Sequence, residues 1–115
     1  MPNADRATIA PDKILRYLLD PTNPRSRGKP ALFFALGYTR ETWERLRDDL
    51  LAHGRTYPVA ETEQAGTATV YNVDGELTGP HQRSRPLRTI WRTDRRGAAP
   101  RLITAFPSPP GRKEL

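Results

Sequence analysis

The sequence contains no cysteine among its 115 residues. Neither a disulfide framework nor a thiolate metal site can therefore form. No stretch approaches the roughly 18 consecutive apolar residues that a membrane span needs, and the N-terminus lacks the basic and apolar regions of a signal peptide. We expect no membrane partner and a location in the cytoplasm, although a domain delivered by specialised secretion at the end of a longer protein would have the same features.

Motifs of several enzyme classes are also missing. Asp48 and Asp49 are adjacent in a helical pattern, so their carboxylates diverge and do not form the pair that a glycosidase or a two-metal site needs. His53 and His81 have no acidic ligands at metal spacing. The serines all stand in loop-like segments without a nucleophile-elbow motif, which disfavours a serine hydrolase. We expect the protein to use no metal and no cofactor.

Basic residues are in excess. Lys and Arg number 19 against 13 Asp and Glu, which gives a net charge of +6, and arginine supplies nearly all of that excess. Because arginine pairs with phosphate or carboxylate through two parallel hydrogen bonds, a polyanion is the expected partner. RNA, DNA and an acidic protein all qualify. A GC-rich genome that uses arginine freely on solvated surfaces would give the same composition.

The first half of the chain has helical periodicity. Apolar residues at helical spacing, with start and stop signals, predict helices over 11–20, 30–36 and 39–54. Gly54 is the predicted end of the third helix. Before the second helix, the basic run of Arg25, Arg27, Gly28 and Lys29 is compatible with a phosphate cradle.

The second half has the composition and alternation of β-strands. Strands are predicted over 56–63 and 66–77, followed by a hairpin whose strands cover 87–93 and 101–106. Three helices followed by four strands predict an α+β fold in which the helices pack on one face of a four-stranded antiparallel sheet.

The domain and its tail follow from length and composition. At this length the chain fits one domain with a single modest core. We predict a single domain over 1–107 and a disordered tail over 108–115, because the last residues are rich in proline and polar side chains.

The predicted hairpin has two different faces. Alternation places Leu87, Thr89 and Trp91 on one face of its first strand and Arg88, Ile90 and Arg92 on the other. On its second strand the same rule groups Leu102 with Thr104 and Phe106. Such a sheet would place one side on a core and turn its other, basic side toward an anionic partner.

The sequence resembles an uncharacterised family of small bacterial domains from Asn3 to Pro107. The resemblance rests on the motifs NADRA, KILRYLLDPTNP, GKPALFFALGYTRETWERL, LTGP, RTIW and PRLITAFP. One turn departs from that family: LTGP is followed by His81, Gln82 and Arg83, where the family tends to have an acidic or amide residue and glycine before the arginine. The order of helices and strands is also similar to that of barnase-like, EndoU-like and RelE-like ribonuclease toxins.

The similarity to ribonuclease toxins implies metal-independent cleavage of RNA. This reaction needs a base, an acid and cations that stabilise the charge on the phosphate. His81 has a suitable ordinary pKa, Arg88 supplies a cation, and Thr104 can orient a phosphate or hydroxyl group. These three are the predicted catalytic residues. The predicted substrate-binding residues are Lys29, Tyr71, Thr89, Trp91 and Arg92, with Trp91 stacking on a base.

Two functions from different classes remain open. The first is a toxin-like endoribonuclease, which implies a cognate acidic inhibitor or antitoxin protein. The alternative is a non-catalytic binding module whose basic sheet docks an acidic partner protein or a nucleic acid. An acidic partner is compatible with both.

Overall fold

The structure is a computed structural model in which residues 1–108 are described. A short 3-10 turn at Ala4–Arg6 precedes three helical segments and four strands. The elements are α1 (Pro11–Lys13, continuing as a π-helical segment at Ile14–Leu18), α2 (Lys29–Ala35), α3 (Trp43–Thr56), β1 (Val59–Ala65), β2 (Ala68–Thr78), β3 (Ser84–Thr93) and β4 (Arg101–Pro107). The strands form one antiparallel sheet in the order β1-β2-β3-β4. The predicted α+β fold is confirmed.

The hydrophobic core lies between the helices and one face of the sheet. Its largest members are fully buried side chains from all three helical segments, from the turn after α2, and from β2 and β3: Ile14, Leu18, Phe33, Tyr38, Leu46, Leu50, Val73, Leu87 and Trp91. The apolar spacing that predicted the helices therefore does mark their buried sides. No helix in the described part of the chain is long and apolar enough to cross a membrane.

Helix α3 continues two residues beyond its predicted end. The prediction took Gly54 as a stop signal, but α3 runs to Thr56 and Gly54 is buried inside it. A Cβ at this position would lie 2.5 Å from Cζ2 of Trp91. Glycine is therefore required by close approach of the helix to the indole ring, and the predicted stop was wrong.

A β-bulge interrupts the alternation of β4. The register shifts opposite Ile90 and Trp91, so that Ile90 pairs with Thr104 while Trp91 pairs with Leu102. Ile103 is the extra residue, and it separates Leu102 on the core face from Thr104 on the opposite face. The grouping of Leu102 with Thr104 on one face was therefore wrong, since strict alternation does not survive a bulge.

The chain before α1 covers the outer edge of β4. Thr8 forms a parallel bridge with Arg101, donating its N–H to the carbonyl of Pro100 and accepting from the N–H of Leu102. At the other side of the sheet, β1 is the edge strand: within residues 1–108 no strand pairs with its outer side, and its residues from Ala60 onward are exposed.

The turn between β2 and β3 contains a left-handed residue. Gln82 has φ of 64°, a conformation that glycine adopts at little cost. Its N–H donates to the carbonyl of Gly79, and Gly79 in turn donates to Arg83. The position at which the chain departs from the family that it resembles is thus one where the backbone favours glycine.

Most of the predicted tail, 108–115, lies outside the described residues. Ser108 is the exception, and its N–H donates to the carbonyl of Pro86 in β3. The division of the chain at Pro107 stays a prediction.

Candidate functional site

The two predicted faces of β3 are confirmed. Leu87, Thr89 and Trp91 are fully buried against the helices. The opposite side of the sheet, which carries Arg88, Ile90 and Arg92, is called the open face below. Cross-strand pairing adds Asp74 and Thr104 to the open face.

Thr89 and Trp91 belong to a buried polar chain in the core. Nε2 of His53 lies 3.1 Å from the carbonyl oxygens of both Gly75 and Leu87, so this nitrogen carries the proton. Nδ1 of the neutral ring then accepts from the Thr89 hydroxyl at 3.0 Å, and Thr89 accepts from Nε1 of Trp91 at 2.8 Å. All the polar side-chain atoms in this series of hydrogen bonds are bonded inside the core. The predicted substrate contacts Thr89 and Trp91 therefore do not reach the open face.

Burial also changes the acidity of His53. Only 3% of the residue is exposed, and this desolvation holds its pKa below the ordinary value despite the two carbonyl contacts. From the sequence, a histidine in the last turn of a helix is expected to be a cation favoured by the negative end of the helix. The structure instead makes it a neutral core residue that joins α3 to the sheet.

Arg88 lies on the open face but is already paired. Its guanidinium donates to both carboxylate oxygens of Asp74, at 2.7 and 2.8 Å, and to Glu61 at 3.2 Å. Only a tenth of the Arg88 side chain is exposed. One arginine held by two carboxylates gives this part of the open face a net negative charge.

The other end of β3 holds a second charge cluster. Arg92 and Arg101 are cross-strand neighbours, and Asp94 accepts from Arg92 at 3.1 Å and from Arg101 at 2.6 Å. These two hydrogen bonds hold the pKa of the Asp94 carboxyl below its usual range. Two cations on one carboxylate leave a net positive charge, so Arg92 keeps part of the basic character predicted for it.

Thr104 and Lys29 are brought together by a residue that the sequence analysis did not select. The Tyr17 hydroxyl lies 2.9 Å from Oγ1 of Thr104, across the gap between the π-helical segment and β4. The ammonium groups of Lys29 and Lys13 lie 5.3 and 5.2 Å from the centre of the Tyr17 ring. We call these four residues, Tyr17, Thr104, Lys13 and Lys29, the Tyr17 cluster.

The electrostatics of the Tyr17 cluster favour ionisation of the tyrosine. Partial burial acts to raise the pKa of the Tyr17 hydroxyl, but the hydrogen bond with Thr104 and the two lysines outweigh it. The result is a pKa below the ordinary tyrosine value. A tyrosine of this kind loses its proton at lower pH than one in water, so at a given pH a larger fraction is in the phenolate form, which can act as a base.

The loop before α2 is fastened to the segment that carries Tyr17. The buried hydroxyl of Ser26 donates to the backbone carbonyl of Tyr17, and the side-chain amide of Asn23 donates to the carbonyl of Arg16 at 2.6 Å. These bonds explain how a loop rich in proline and arginine delivers Lys29 to the tyrosine ring. The predicted phosphate cradle thus contributes one cation, Lys29, to a cluster that includes other elements.

Two clefts flank the Tyr17 cluster along β4. One, of about 230 Å³, is lined by Lys29, Leu32 and Phe106 among others. The other, of about 360 Å³, is lined by Lys13, Arg101 and neighbouring residues. The Tyr17–Thr104 pair therefore lies between two concave surfaces that each contribute a lysine.

His81 and Tyr71 are placed away from this cluster. His81 is exposed in the β2–β3 turn, and its N–H donates to the carbonyl of Leu36, just after α2. Lys29 begins α2, so about 10 Å of helix separates it from this point. Tyr71 pairs with Trp91 on the covered face and lines a separate cleft with Thr93.

No metal site accompanies these groups. Among residues 1–108, no cluster of three or more His, Asp or Glu side chains could hold a metal ion. The chemistry available at the Tyr17 cluster is proton transfer by a hydroxyl group and binding of an anion by two ammonium groups.

Residues 1–109 match the model of a family described as a domain of unknown function, DUF6883. The chain belongs to the DUF6883 family. No curated protein is significantly similar in sequence. The fold of this DUF6883 domain is similar to that of a chain in a contact-dependent growth inhibition toxin and immunity protein complex from Klebsiella pneumoniae 342, with a TM-score of 0.73 and 10% identity. The superposition covers 95% of the DUF6883 domain and 99% of that chain, so the two share one fold over nearly their whole length.

Proposed function

We propose that this DUF6883 domain is a toxin-like endoribonuclease that cleaves RNA without a metal ion. The observation that carries the proposal is the Tyr17 cluster, which joins a tyrosine of lowered pKa to a hydroxyl group and two lysines between two clefts. Cleavage of RNA by its own 2′-hydroxyl needs such a proton acceptor beside cations that bind the phosphate.

The fold similarity supports a role in a system of a toxin and its inhibitor. The similar chain comes from a complex of a growth-inhibition toxin with its immunity protein, so its fold is that of one of these two partners. At 10% identity the similarity concerns the fold, so the residues that carry activity are argued from this chain alone. A cognate protein that binds and inhibits the domain is part of the proposal.

The predicted residues take different parts in this proposal. Lys29 binds the scissile phosphate and Thr104 orients the Tyr17 hydroxyl, while Arg92 attracts a neighbouring phosphate. Arg88 holds the sheet beneath them, because Asp74 already binds its guanidinium. His81, at the far end of α2, contacts the RNA chain outside the point of proton transfer.

Incubation with RNA tests the proposal. Purified domain is mixed with total RNA and with tRNA in the presence of EDTA, and the fragments are sequenced and their ends analysed. We expect fragments that end in cyclic phosphate. Thr104→Val removes the hydroxyl that bonds to Tyr17 and should abolish most of the cleavage, whereas Thr104→Ser retains it. Intact RNA from the wild-type protein over a range of pH would contradict a ribonuclease.

A second candidate, the non-catalytic binding module, is favoured by one observation. Asp74 and Glu61 already bind Arg88, the predicted catalytic cation. Arg92 and Arg101, in contrast, share a single carboxylate and keep a net positive charge that suits an acidic partner. A module of this kind would bind a protein or nucleic acid without changing it. Expression in bacteria separates the two: growth arrest that Thr104→Val relieves, with the fold retained, supports the ribonuclease, and unimpaired growth supports the module.

A further inference from the structure

The local backbone around Tyr17 is unusual. Helix α1 changes into a π-helical segment at Ile14–Leu18, and the N–H of Leu19 bonds to the carbonyl of Ile14, five residues earlier, at 2.8 Å. A π turn is rare and inserts one residue into the helical repeat, which is why such turns concentrate at functional sites. Tyr17 lies within this π-helical segment, and its hydroxyl reaches Thr104 of β4.

The surroundings of the Tyr17 hydroxyl favour its phenolate form. Two elements bring charge to it: α1 contributes Lys13 and the start of α2 contributes Lys29. From β4 it faces the uncharged Thr104. No carboxylate among the described residues acts on it, so every charged neighbour is a cation. Tyr17 is only partly buried, and the two clefts that contain Lys13 and Lys29 lie on either side of Thr104 along β4.

We propose that Tyr17 is the general base of the cleavage step, and that Thr104 and Lys29 position and stabilise its phenolate oxygen. This inference rests on the proposed ribonuclease function and deepens it by naming the residue that exchanges the proton.

The step balances without any further reactant. The Tyr17 phenolate takes the proton of the attacking 2′-hydroxyl, the 2′ oxygen forms a bond to phosphorus, and the bond between phosphorus and the 5′ oxygen breaks. The departing 5′ oxygen takes up a proton from water in the open cleft, and Tyr17 returns its proton to solvent. The products are a 2′,3′-cyclic phosphate and a 5′-hydroxyl end. Lys13 and Lys29 bind the phosphate oxygens while negative charge gathers there.

The test compares Tyr17→Phe with Tyr57→Phe. Tyr57 serves as the matched control because its hydroxyl also makes one hydrogen bond, donating to the carbonyl of Glu76, at a site away from β4. Single-turnover cleavage of an RNA oligonucleotide should fall by about 10²- to 10⁴-fold in Tyr17→Phe and stay near wild type in Tyr57→Phe. Affinity for the matching 2′-deoxy oligonucleotide, which lacks the attacking hydroxyl, should be unchanged in both.

The pH profile separates a base from a merely structural tyrosine. In the wild type, the cleavage rate should rise with pH up to a limit below the ordinary tyrosine pKa. Lys29→Gln removes a cation that stabilises the phenolate, so the rise of the cleavage rate should move to higher pH. Arg47→Gln on α3 also removes one positive charge and is the matched control. It should leave the pH of the rise unchanged. Ultraviolet difference titration measures the ionisation of the tyrosines directly. The titration that is absent in Tyr17→Phe belongs to Tyr17, and it should move to higher pH in Lys29→Gln.

The outcomes distinguish the inference from the function on which it rests. If the wild type cleaves RNA and Tyr17→Phe cleaves at a similar rate, or if Lys29→Gln leaves the pH profile in place, Tyr17 is not the base and the ribonuclease proposal survives. If the wild type leaves RNA intact, the ribonuclease proposal fails, and the proposed role of Tyr17 fails together with it.

Discussion

Arg88 and Asp74 face each other across β3 and β2, and both carboxylate oxygens of Asp74 accept from the guanidinium, at 2.7 and 2.8 Å. A bidentate pair of this geometry fixes the orientation of both side chains. The arginine that the sequence suggests as a catalytic cation is therefore one of the groups that hold β1, β2 and β3 together, since Glu61 of β1 joins the pair.

We expect Arg88→Ala to lower the free energy of unfolding by about 2 kcal/mol, less than for a fully buried pair because Asp74 is one-third exposed. The loss arises because Asp74 keeps its charge but loses its main partner. Urea denaturation followed by circular dichroism measures it. Arg88→Lys should cost less than Arg88→Ala, because it keeps the charge while losing the second hydrogen bond.

A double-mutant cycle identifies the partner. Asp74→Asn and Arg88→Ala should each destabilise, and the double variant should be less destabilised than the sum of the two, because residues in one network couple. Additive effects, or an Arg88→Ala protein as stable as the wild type, would show that the pair does not hold the sheet.

Protonation of His53 should weaken the fold in mild acid. The folded-state pKa lies below the unfolded value near 6.5, so the unfolded chain binds a proton that the folded one does not. The stabilising contribution is complete above about pH 6.5 and is lost as the pH falls from there toward the folded pKa, with a slope of at most about 1.4 kcal/mol per pH unit. Urea unfolding between pH 5 and 7.5 measures this slope.

Replacement of His53 tests this assignment. His53→Gln should remove most of the slope, because glutamine carries no titrating group. An equal slope in the wild type and in His53→Gln would assign the pH dependence to other groups.

Gly54→Ala should destabilise the protein even though alanine is the better helix former. The new methyl group would lie 2.5 Å from the Trp91 ring, and overpacking typically costs about 1–3 kcal/mol, more than the gain of about 1 kcal/mol in helix propensity. Differential scanning calorimetry measures the change. Gly28→Ala is the matched control, since nothing lies within 4 Å of a Cβ there. Equal melting temperatures for both variants would mean that the core around Trp91 relaxes freely.

Gln82→Gly should stabilise the protein by about 1 kcal/mol, because φ of 64° is costly for a residue with a Cβ. Gln82→Ala keeps the Cβ and should give no comparable gain. Chemical denaturation of the three proteins at one pH measures the difference. A less stable glycine variant would imply that the glutamine side chain contributes contacts that outweigh the backbone cost.

The order of the elements and the two faces of β3 follow from local patterns in the sequence. Features that arise from one extra residue in a helix or a strand cannot be predicted from these patterns. A π turn includes Tyr17, and the bulge at Ile103 separates Leu102 from Thr104. Each inserts one residue, and composition alone does not reveal where.

The pairing of charges was also beyond sequence reasoning. Glu61, Asp74 and Arg88 are far apart along the chain and meet because of the register of three strands. In the same way, Trp91 and Thr89 were grouped correctly on one face, but the histidine of α3 that binds Thr89 lies 36 residues away. Registers between distant segments decide these contacts, and local periodicity carries no information about them.

The two edges of the sheet disfavour the addition of a strand from a second copy by different means. On β4, the backbone groups of Thr8 already occupy hydrogen-bonding positions that a second copy would use. On β1, the carboxylates of Glu61 and Glu63 would meet their equivalents if two copies added strand to strand. A protein of strongly basic composition thus keeps acidic side chains at the place where polymerisation would begin.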